Sequence, residues 1–542
     1  SNHVSTQATR SKTDDERHVG DQAVAQAKDS SASSATSETA MVRMILVFGT
    51  WGFGHGSKLL VMRGAWSRLV STVVSGTPRY RFAPSPTGFF HVGGARTALY
   101  NWILALANDG VFVLRIEDTD ESRNEPQWTQ GILDALAWIG IDNNDPHFEG
   151  PYFQSANAAT HVEAAHKLLA DGHAYYCDLT SEQIQERAKA SGKPGYDGYS
   201  RERGLTAQPG YSLRFRVPTG TTVVIDEVRG QVEFDNATIE DFVLLRGNGT
   251  PVFNLANVVD DVSMKITNVV RAEEHLPNTP KQQMLWQALG HPVPSWAHVP
   301  VLVNEQRKKL SKRRDKVALE QYRDEGVVAP AMVNYLMTLG WAPTGDTEIV
   351  EFSSIVADFR LSSVNHSSAF FDVKKLNAFN GEYLRKMTVE QFVEACEPWL
   401  TPDKAPWPAD RFDRNVFLRI APHVQTRVAV LSEVPAMVDF LFMADVVIDS
   451  AAFDKAFAAA WARPLLRLIR DQFATVDWNP EALKNVVEVV GAASDVKLGK
   501  LQAPVRVATT GRSVGPPLFE SLEVLGRDET LRRIDAALTR AG

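Results

Sequence analysis

Hydrophobic and polar positions divide the chain into stretches of different character. Residues 1 to about 40 are rich in Ser, Ala, Thr, Gln and Asp with no apolar periodicity, which predicts disorder. Residues 41–77 carry a mostly apolar run, Met44 to Phe53, and basic residues but no acidic one. That run is too short to cross a bilayer, which takes about 20 residues. The segment 1–77 reads as an extension without a catalytic part; from Met41 it also has the acid-free, Arg-containing character of an organellar transit peptide. From Arg79 the pattern becomes strand, helix, strand, helix. Tyr80-Arg81-Phe82 is short and β-prone and runs into two prolines and Gly88. Apolar residues then recur at Ala95, Ala98, Leu99, Trp102, Ile103 and Leu106, the spacing of a helix with one buried face. Val111 to Ile116 reads as a buried parallel strand, and Ile132, Leu133, Leu136 and Ile139 as the next helix. Residues 78–177 are therefore expected to form the first half of a doubly wound α/β sheet.

Residues 178–250 turn polar and then β-prone, with pieces at 213–217 and 223–228 broken by Pro and Gly, as in an insertion between two halves of a sheet. The second half is expected over 251–305, followed by a basic loop and helices at 306–380. Helical periods continue to the end. Val333 to Trp341 is closed by Gly340, Thr388 caps a helix carrying Phe392, Val393 and Cys396, and Leu531, Ile534 and Leu538 share the last one. Residues 381–542 are expected to be all-α.

Composition narrows the class. A chain of 542 residues exceeds what one core fills, so two to four domains are expected. Hydrophobic content of 44% and charged content of 23% belong to a soluble globular protein, and the net charge of −8 means that any nucleic-acid contact must concentrate its basic groups locally. Cys177 and Cys396 alone cannot build a disulfide framework or a Cys-rich zinc site, which fits a reducing compartment.

Two stretches carry chemistry. The first is the strand–turn–helix junction ending in His91-Val-Gly93-Gly94. A helix that starts at paired glycines offers backbone N–H groups and a positive dipole end to a phosphate, and His91 can reach the same place. Alone, His91 is equally a surface histidine before an ordinary helix. The second is Arg307-Lys-Lys-Leu-Ser-Lys-Arg-Arg-Asp-Lys316, with seven basic residues in ten positions, which alone is a solvated face or a general nucleic-acid patch. Together the His-x-Gly-Gly helix start and the Lys-Leu-Ser-Lys-Arg loop about two hundred residues later resemble the two signatures of class I aminoacyl-tRNA synthetases. The flanking residues, among them the run Pro251 to Asp261 and Ile266 to His275, resemble bacterial-type glutamyl-tRNA synthetase from about Arg79 onward.

The resemblance implies a Rossmann-like doubly wound parallel sheet with an inserted α+β acceptor-binding domain, stem-contact helices after the basic loop, and an all-α anticodon-binding region. It implies ATP-dependent ligation of L-glutamate to the 3′-terminal adenosine of tRNA(Glu) through a glutamyl-adenylate, or, as the alternative, a non-discriminating enzyme that also charges tRNA(Gln). By the family pattern, His91, Gly93, Gly94, Lys309, Leu310, Ser311, Lys312 and Arg313 hold ATP, with Lys312 closer to the phosphates than Lys309, on a loop that closes over the nucleotide. Arg81, Ala83, Ser85, Glu117, Phe253, Asn257 and Arg271 form the glutamate pocket. The distal carboxylate calls for a bidentate guanidinium, and Arg81 is the matching candidate. Arg271 has a plainer alternative, a salt bridge to Glu273 or Glu274, and Asp118 and Asp120 read as helix-capping residues. Phe253 stands where the family usually has tyrosine, so one substrate hydrogen bond is expected to be missing. Magnesium is expected on the nucleotide and no zinc is expected; the enzyme is expected to be a cytoplasmic monomer with no membrane contact. Glutaminyl-tRNA synthetase would end in β-barrels, and a tRNA-modifying paralogue would lack residues 381–542. A non-catalytic tRNA-binding relative would have lost one of the ATP signatures. A nucleotidylyltransferase for a small metabolite would leave the helical C-terminal region unexplained.

Overall fold

The computed structural model describes residues 76–119, 125–192, 194–311 and 313–541. Lys312, Asp120 and nearly all of the 1–77 extension lie outside the described residues.

The β-prone pieces near Tyr80 and Val111 form β1 (Arg79–Phe82) and β2 (Val111–Ile116), joined by helix α1 (Val92–Ala107). Helix α2 (Pro126–Trp138) leads to β3 (Phe148–Phe153), and α3 (Ala158–Ala170) to β4 (Ala174–Cys177). After α4 (Ser181–Ser191) come β5 (Ser212–Phe215), β6 (Thr221–Asp226), β7 (Gly230–Asp235) and β8 (Val243–Leu245). Helix α5 (Phe253–Ser263), β9 (Asn268–Ala272), α6 (Thr279–Ala288) and β10 (Ser295–Val299) complete the α/β part.

Seven strands make one sheet in the order β3-β2-β1-β9-β10-β6-β7, parallel except for the β6–β7 hairpin. Residues 178–250, expected as one insertion, are thus divided. Strands β4, β5 and β8 form a separate antiparallel sheet, while β6–β7 continues the main one, because Asp226 pairs in register with Trp296 of β10. The alternating and β-branched run Thr-Thr-Val-Val-Ile-Asp suits either sheet, so its pairing is decided by tertiary contact.

Helices cover both faces of the sheet. Tyr80, Phe82, Phe112, Leu114, Ile116, Val270 and Ala297 pack with α1 and α2 on one face. Val113, Val224, Val269 and Trp296 pack with α3, α5 and α6 on the other. Period-2 alternation then places Asp226, His298, Arg271, Arg81 and Arg115, on five neighbouring strands, on the α3/α5/α6 face near the carboxyl ends of their strands. The chain reverses direction of winding at β1, which lies between β2 and β9, and ligands in such sheets bind at that switch point.

Beyond β10, a two-stranded parallel pair joins β11 (Leu302–Val303) to β12 (Ala369–Phe370), with α7 (Leu319–Asp324), α8 (Ala329–Thr338) and α9 (Phe352–Asp358) between them. Helix α8 stops two residues before Gly340, whose φ of +113° suits glycine. From α10 (Val373–Lys386) onward the described residues are helical, around one core built on Phe392, Phe417 and Val438 and another on Ile469, Val487 and Ile534. Thr388 forms the expected cap, as a reciprocal box with Gln391. No helix among the described residues is long and apolar enough to cross a membrane.

Candidate active site

His91 is the N-cap of α1, and its Nδ1 accepts from Gly93 N–H at 2.9 Å. A Cβ at Gly93 would stand 3.1 Å from that nitrogen, so the missing side chain lets the ring lie over the helix start. The helix therefore begins one residue before the paired glycines, with the imidazole engaging a first-turn amide.

The basic loop is tied to this helix start by backbone. Val92 N–H donates to Val317 O at 2.8 Å, and Leu319 N–H donates to Phe90 O at 2.8 Å. At its entry Leu310 N–H donates to Leu302 O at 3.0 Å. Asp315 ties it across: one carboxylate oxygen accepts from Ser311 N–H at 2.9 Å and the other from Asn304 Nδ2 at 3.0 Å. Those two hydrogen bonds, with the field of Arg314 and His91, hold the Asp315 carboxyl below its usual range. Lys309 pairs with Glu274.

A cavity of about 420 Å³ opens between these segments and the ends of β1 and β9. Of the residues singled out in the sequence, it is lined by His91, Gly93, Gly94, Lys309, Leu310 and Ser311, and by Arg81, Ala83, Glu117, Phe253, Asn257 and Arg271. Ser85 and Arg313 are exposed and do not line it. Arg96 and His275 are among the other lining residues, which were not assigned a part from the sequence. Arg96 spans from α1 to Leu339 O (3.0 Å) and Pro300 O. His275 lies against Phe253 with ring centroids 6.0 Å apart.

The polar end of the cavity is a buried charge network. Arg115 Nη1 is 2.6 Å from Asp261 Oδ1, its Nη2 is 3.2 Å from Glu117 Oε1, and its Nε is 3.7 Å from Asp260 Oδ2. Helix α5 supplies Asn257, Asp260 and Asp261 because positions three and four apart share a face. Asn257 Nδ2 donates to Glu117 Oε1 at 3.0 Å. Arg81 Nε lies 3.4 Å from Asp261 Oδ1 without a hydrogen bond, and burial pulls that guanidinium's pKa down. Arg271 does not pair with Glu273 or Glu274. Its Nε donates to His298 Nε2 at 3.1 Å and its Nη2 to Thr279 Oγ1 at 2.9 Å. Burial and the neighbouring Arg81 charge lower Arg271 to about 9. Burial and Arg271 lower His275 to about 4, leaving a neutral ring at neutral pH. The cavity thus combines the buried guanidiniums of Arg81 and Arg271, a third, Arg96, that is spent on backbone carbonyls, two carboxylates and a neutral imidazole beside a helix N-terminus. That set suits a small zwitterion with extra negative charge next to a phosphate.

Charged groups of this kind inside strands were visible in the sequence as Tyr-Arg-Phe, Leu-Arg-Ile, Val-Arg-Ala, Ala-His-Val and Ile-Asp. A charge within an otherwise apolar strand marks a buried polar partner.

Comparison with known proteins gives a consistent result. Residues 78–378 match the family described as tRNA synthetases class I (E and Q), catalytic domain, and residues 391–538 match an anticodon binding domain. The chain is 60% identical over 468 residues to a glutamate–tRNA ligase of Thermobifida fusca, covering 85% of this chain and 98% of that one. It is 59% identical over 469 residues to a glutamate–tRNA ligase of Salinispora arenicola, covering 86% and 99%. A crystal structure of a glutamate tRNA ligase from Elizabethkingia meningosepticum, in complex with its amino acid, superposes with a TM-score of 0.75 at 28% identity, covering 86% of this chain and 100% of that one. With its α/β sheet, its cavity at the switch point and its helical C-terminal region, the chain belongs to the glutamate–tRNA ligase family of class I tRNA synthetases.

Proposed function

We propose that this chain ligates L-glutamate to the 3′-terminal adenosine of tRNA(Glu), consuming ATP and passing through a glutamyl-adenylate. The observation that carries this reading is the meeting, in one cavity, of two buried guanidiniums with a His-capped helix start and a basic loop. Arg81 takes the distal carboxylate of glutamate, and Arg271 with Asn257 takes the α-carboxylate. Glu117 faces the ammonium, and Ala83 and Phe253 form apolar walls. Ser85 and Arg313, exposed beside these segments, make their contacts with substrate bound.

An oxygen of the α-carboxylate attacks the α-phosphorus of ATP, and the bond to the pyrophosphate oxygen breaks. A ribose hydroxyl of the terminal adenosine then attacks the acyl carbon, gives up its proton, and AMP leaves. No protein nucleophile is required, so catalysis is positioning and stabilisation of charge on the phosphates. His91, the amides near Gly93 and Gly94, and the loop residues Lys309, Leu310, Ser311 and Lys312 supply it, with Lys312 the closer phosphate ligand. Of the carboxylates lining the cavity, Glu117 is paired with Arg115 and Glu274 with Lys309. Among the described residues no group of three His, Cys, Asp or Glu could hold an ion. Magnesium is carried on the nucleotide, where the phosphate oxygens supply its ligands. The enzyme acts as a cytoplasmic monomer.

The test is aminoacylation with labelled glutamate on tRNA(Glu) and tRNA(Gln) in parallel, with Lys312→Ala as control. Charging of tRNA(Glu) alone is expected, and charging of both would make the enzyme non-discriminating. Charging of neither, or an undiminished Lys312→Ala variant, would leave a tRNA-binding relative without this chemistry.

A further inference from the structure

Arg271 is held in an unusual way for a buried arginine: neither partner of its fork is a carboxylate. His298 Nε2 accepts from Nε, and Thr279 Oγ1 accepts from Nη2, which also reaches His275 O at 3.5 Å; the Thr279 hydroxyl in turn lies 3.0 Å from His298 Nε2, where it can only donate if Nε2 accepts from Arg271. An imidazole nitrogen that accepts carries no hydrogen, so the ring hydrogen of His298 belongs on Nδ1. There Asp226 Oδ2 lies 2.5 Å away. The other oxygen of Asp226 is already committed, accepting from the backbone N–H groups of Val228 (3.0 Å), Arg229 (2.8 Å) and His298 (3.2 Å). Asp226, His298 and Arg271 are 3%, 0% and 6% exposed, so no water competes freely for these bonds.

We propose that Asp226 and His298 are positioning residues for the amino-acid substrate: Asp226 fixes the imidazole tautomer, and that tautomer lets His298 aim Arg271 without neutralising it. This rests on Arg271 being a carboxylate ligand of glutamate. A carboxylate in place of His298 would hold the fork as firmly, but it would place an opposite charge in contact with the guanidinium and weaken its pull on the substrate. A neutral acceptor aligns the group and leaves its charge for the ligand. The carboxylate behind the ring, Asp226, is kept one imidazole away from the guanidinium. Burial and the Arg271 and Arg81 cations keep the imidazole neutral against the pull of Asp226.

Asp226→Asn separates tautomer from bulk. Three backbone donors claim the oxygen at the Oδ1 position, so the amide nitrogen must face His298. It then donates to Nδ1, the ring hydrogen moves to Nε2, and two donors oppose each other at Arg271, as when the aspartate of a catalytic triad is replaced by asparagine. The experiment is ¹⁵N NMR of imidazole-labelled protein, with His298 assigned from a His298→Gln variant, alongside steady-state aminoacylation. The wild type is expected to show a hydrogen on Nδ1 and Asp226→Asn a hydrogen on Nε2. Its glutamate KM should rise roughly ten- to hundredfold, the loss of a hydrogen bond to a charged group. The ATP KM should not move. Thr279→Val removes the other fork acceptor together with a hydroxyl 3.0 Å from His298 Nε2, and should raise the glutamate KM while the ring hydrogen stays on Nδ1, which keeps the test open if Asp226→Asn is too unstable to purify.

A wild-type ring protonated on Nε2 would overturn the assignment. A switched tautomer with an unchanged glutamate KM would overturn the coupling to substrate. If Arg271→Ala leaves the glutamate KM unchanged, the fault lies in the reading of Arg271 itself, whatever the tautomer.

Discussion

Arg115→Met tests whether the buried charge network holds both the fold and the glutamate pocket. The side chain of Arg115 is fully buried, and the three carboxylates around it, Asp260, Asp261 and Glu117, are 0%, 2% and 9% exposed. Burial alone would lower the pKa of Arg115, but Asp261, Glu117 and Asp260 more than reverse this and hold it above its ordinary value. Methionine keeps the apolar length of the side chain and removes the charge. Asp260 keeps three donors, His161 at 2.7 Å, Gln154 at 2.8 Å and Asn157 at 2.6 Å. Asp261 keeps only Arg81, at 3.4 Å and without a hydrogen bond. Glu117 keeps Asn257. Breaking a buried pair from one side costs about 3–5 kcal/mol, and because Asp260 remains well served the lower part of that range applies. Equilibrium urea denaturation, followed by tryptophan fluorescence because Trp296 lies on the same sheet face, should show that loss. The glutamate KM should rise in parallel, since Asp261 would rearrange and Arg81 with it. The double variant Arg115→Met/Asp261→Asn should be less destabilised than the two single losses added together. A loss below about 1 kcal/mol with an unchanged glutamate KM would refute the network as the support of Arg81.

Four further outcomes are expected. Phe253→Tyr should lower the glutamate KM by up to about tenfold by restoring a hydroxyl to the pocket, with no change of amino acid, as read by aminoacylation with glutamate and glutamine. Lys312→Ala should reduce the rate of adenylate formation by about 10²–10³, the cost of one transition-state contact, and Lys309→Ala should reduce it less, because Lys309 already pairs with Glu274; single-turnover kinetics checks both. His275, lowered to about 4 mainly by burial, is neutral in the folded protein, while the unfolded chain gains a proton there below about 6.5. Its contribution is therefore present above pH 6.5 and lost as pH falls from there toward 4, so His275→Gln should flatten that limb of a Tm-against-pH curve. Asn380→Ala should cost about 2–4 kcal/mol in urea denaturation, because it strands the Val328 N–H and the Ala429 carbonyl and leaves the Gly326 carbonyl with Leu431 N–H alone.

What the sequence disclosed and what it withheld follow from the range of the forces involved. The strand at Val111, the α1 pattern, the Thr388 cap and the helical C-terminal region were readable because periodicity and capping act over a few residues. The junction at His91 and the basic loop were readable as motifs, and twelve of the residues singled out line one cavity. Three things needed the fold. The β6–β7 hairpin joined the main sheet through contact with β10, about seventy residues away in sequence, and nothing local distinguishes it from the strands of the smaller sheet. Arg271 turned from the adjacent glutamates to His298 and Thr279, because His298 stands opposite it in register on β10 while Glu273 is taken by Arg229 and Glu274 by Lys309. Asp315, a single acid within a basic run, proved to be the residue that ties the loop to Asn304 and Ser311.

The same long-range logic explains how the helical region is oriented against the catalytic part. The exit of the basic loop is bonded to Phe90 and Val92, and only the six-residue helix α7 separates it from Glu325 and Gly326. There the backbone meets the helical region directly: Leu431 N–H donates to Gly326 O at 3.2 Å and Ser432 N–H donates to Glu325 O at 3.3 Å. Gly326 has a φ of +90°, and a Cβ on it would stand 2.5 Å from Leu431 N, so the approach requires glycine for two independent reasons. Asn380, fully buried, joins Gly326, Val328 and Ala429 from α10. A joint of backbone hydrogen bonds with no room for a side chain has few alternative packings, unlike an interface of flexible apolar chains. The orientation of the helical region is thereby referred, through two backbone ties and one short helix, to the residue that caps α1.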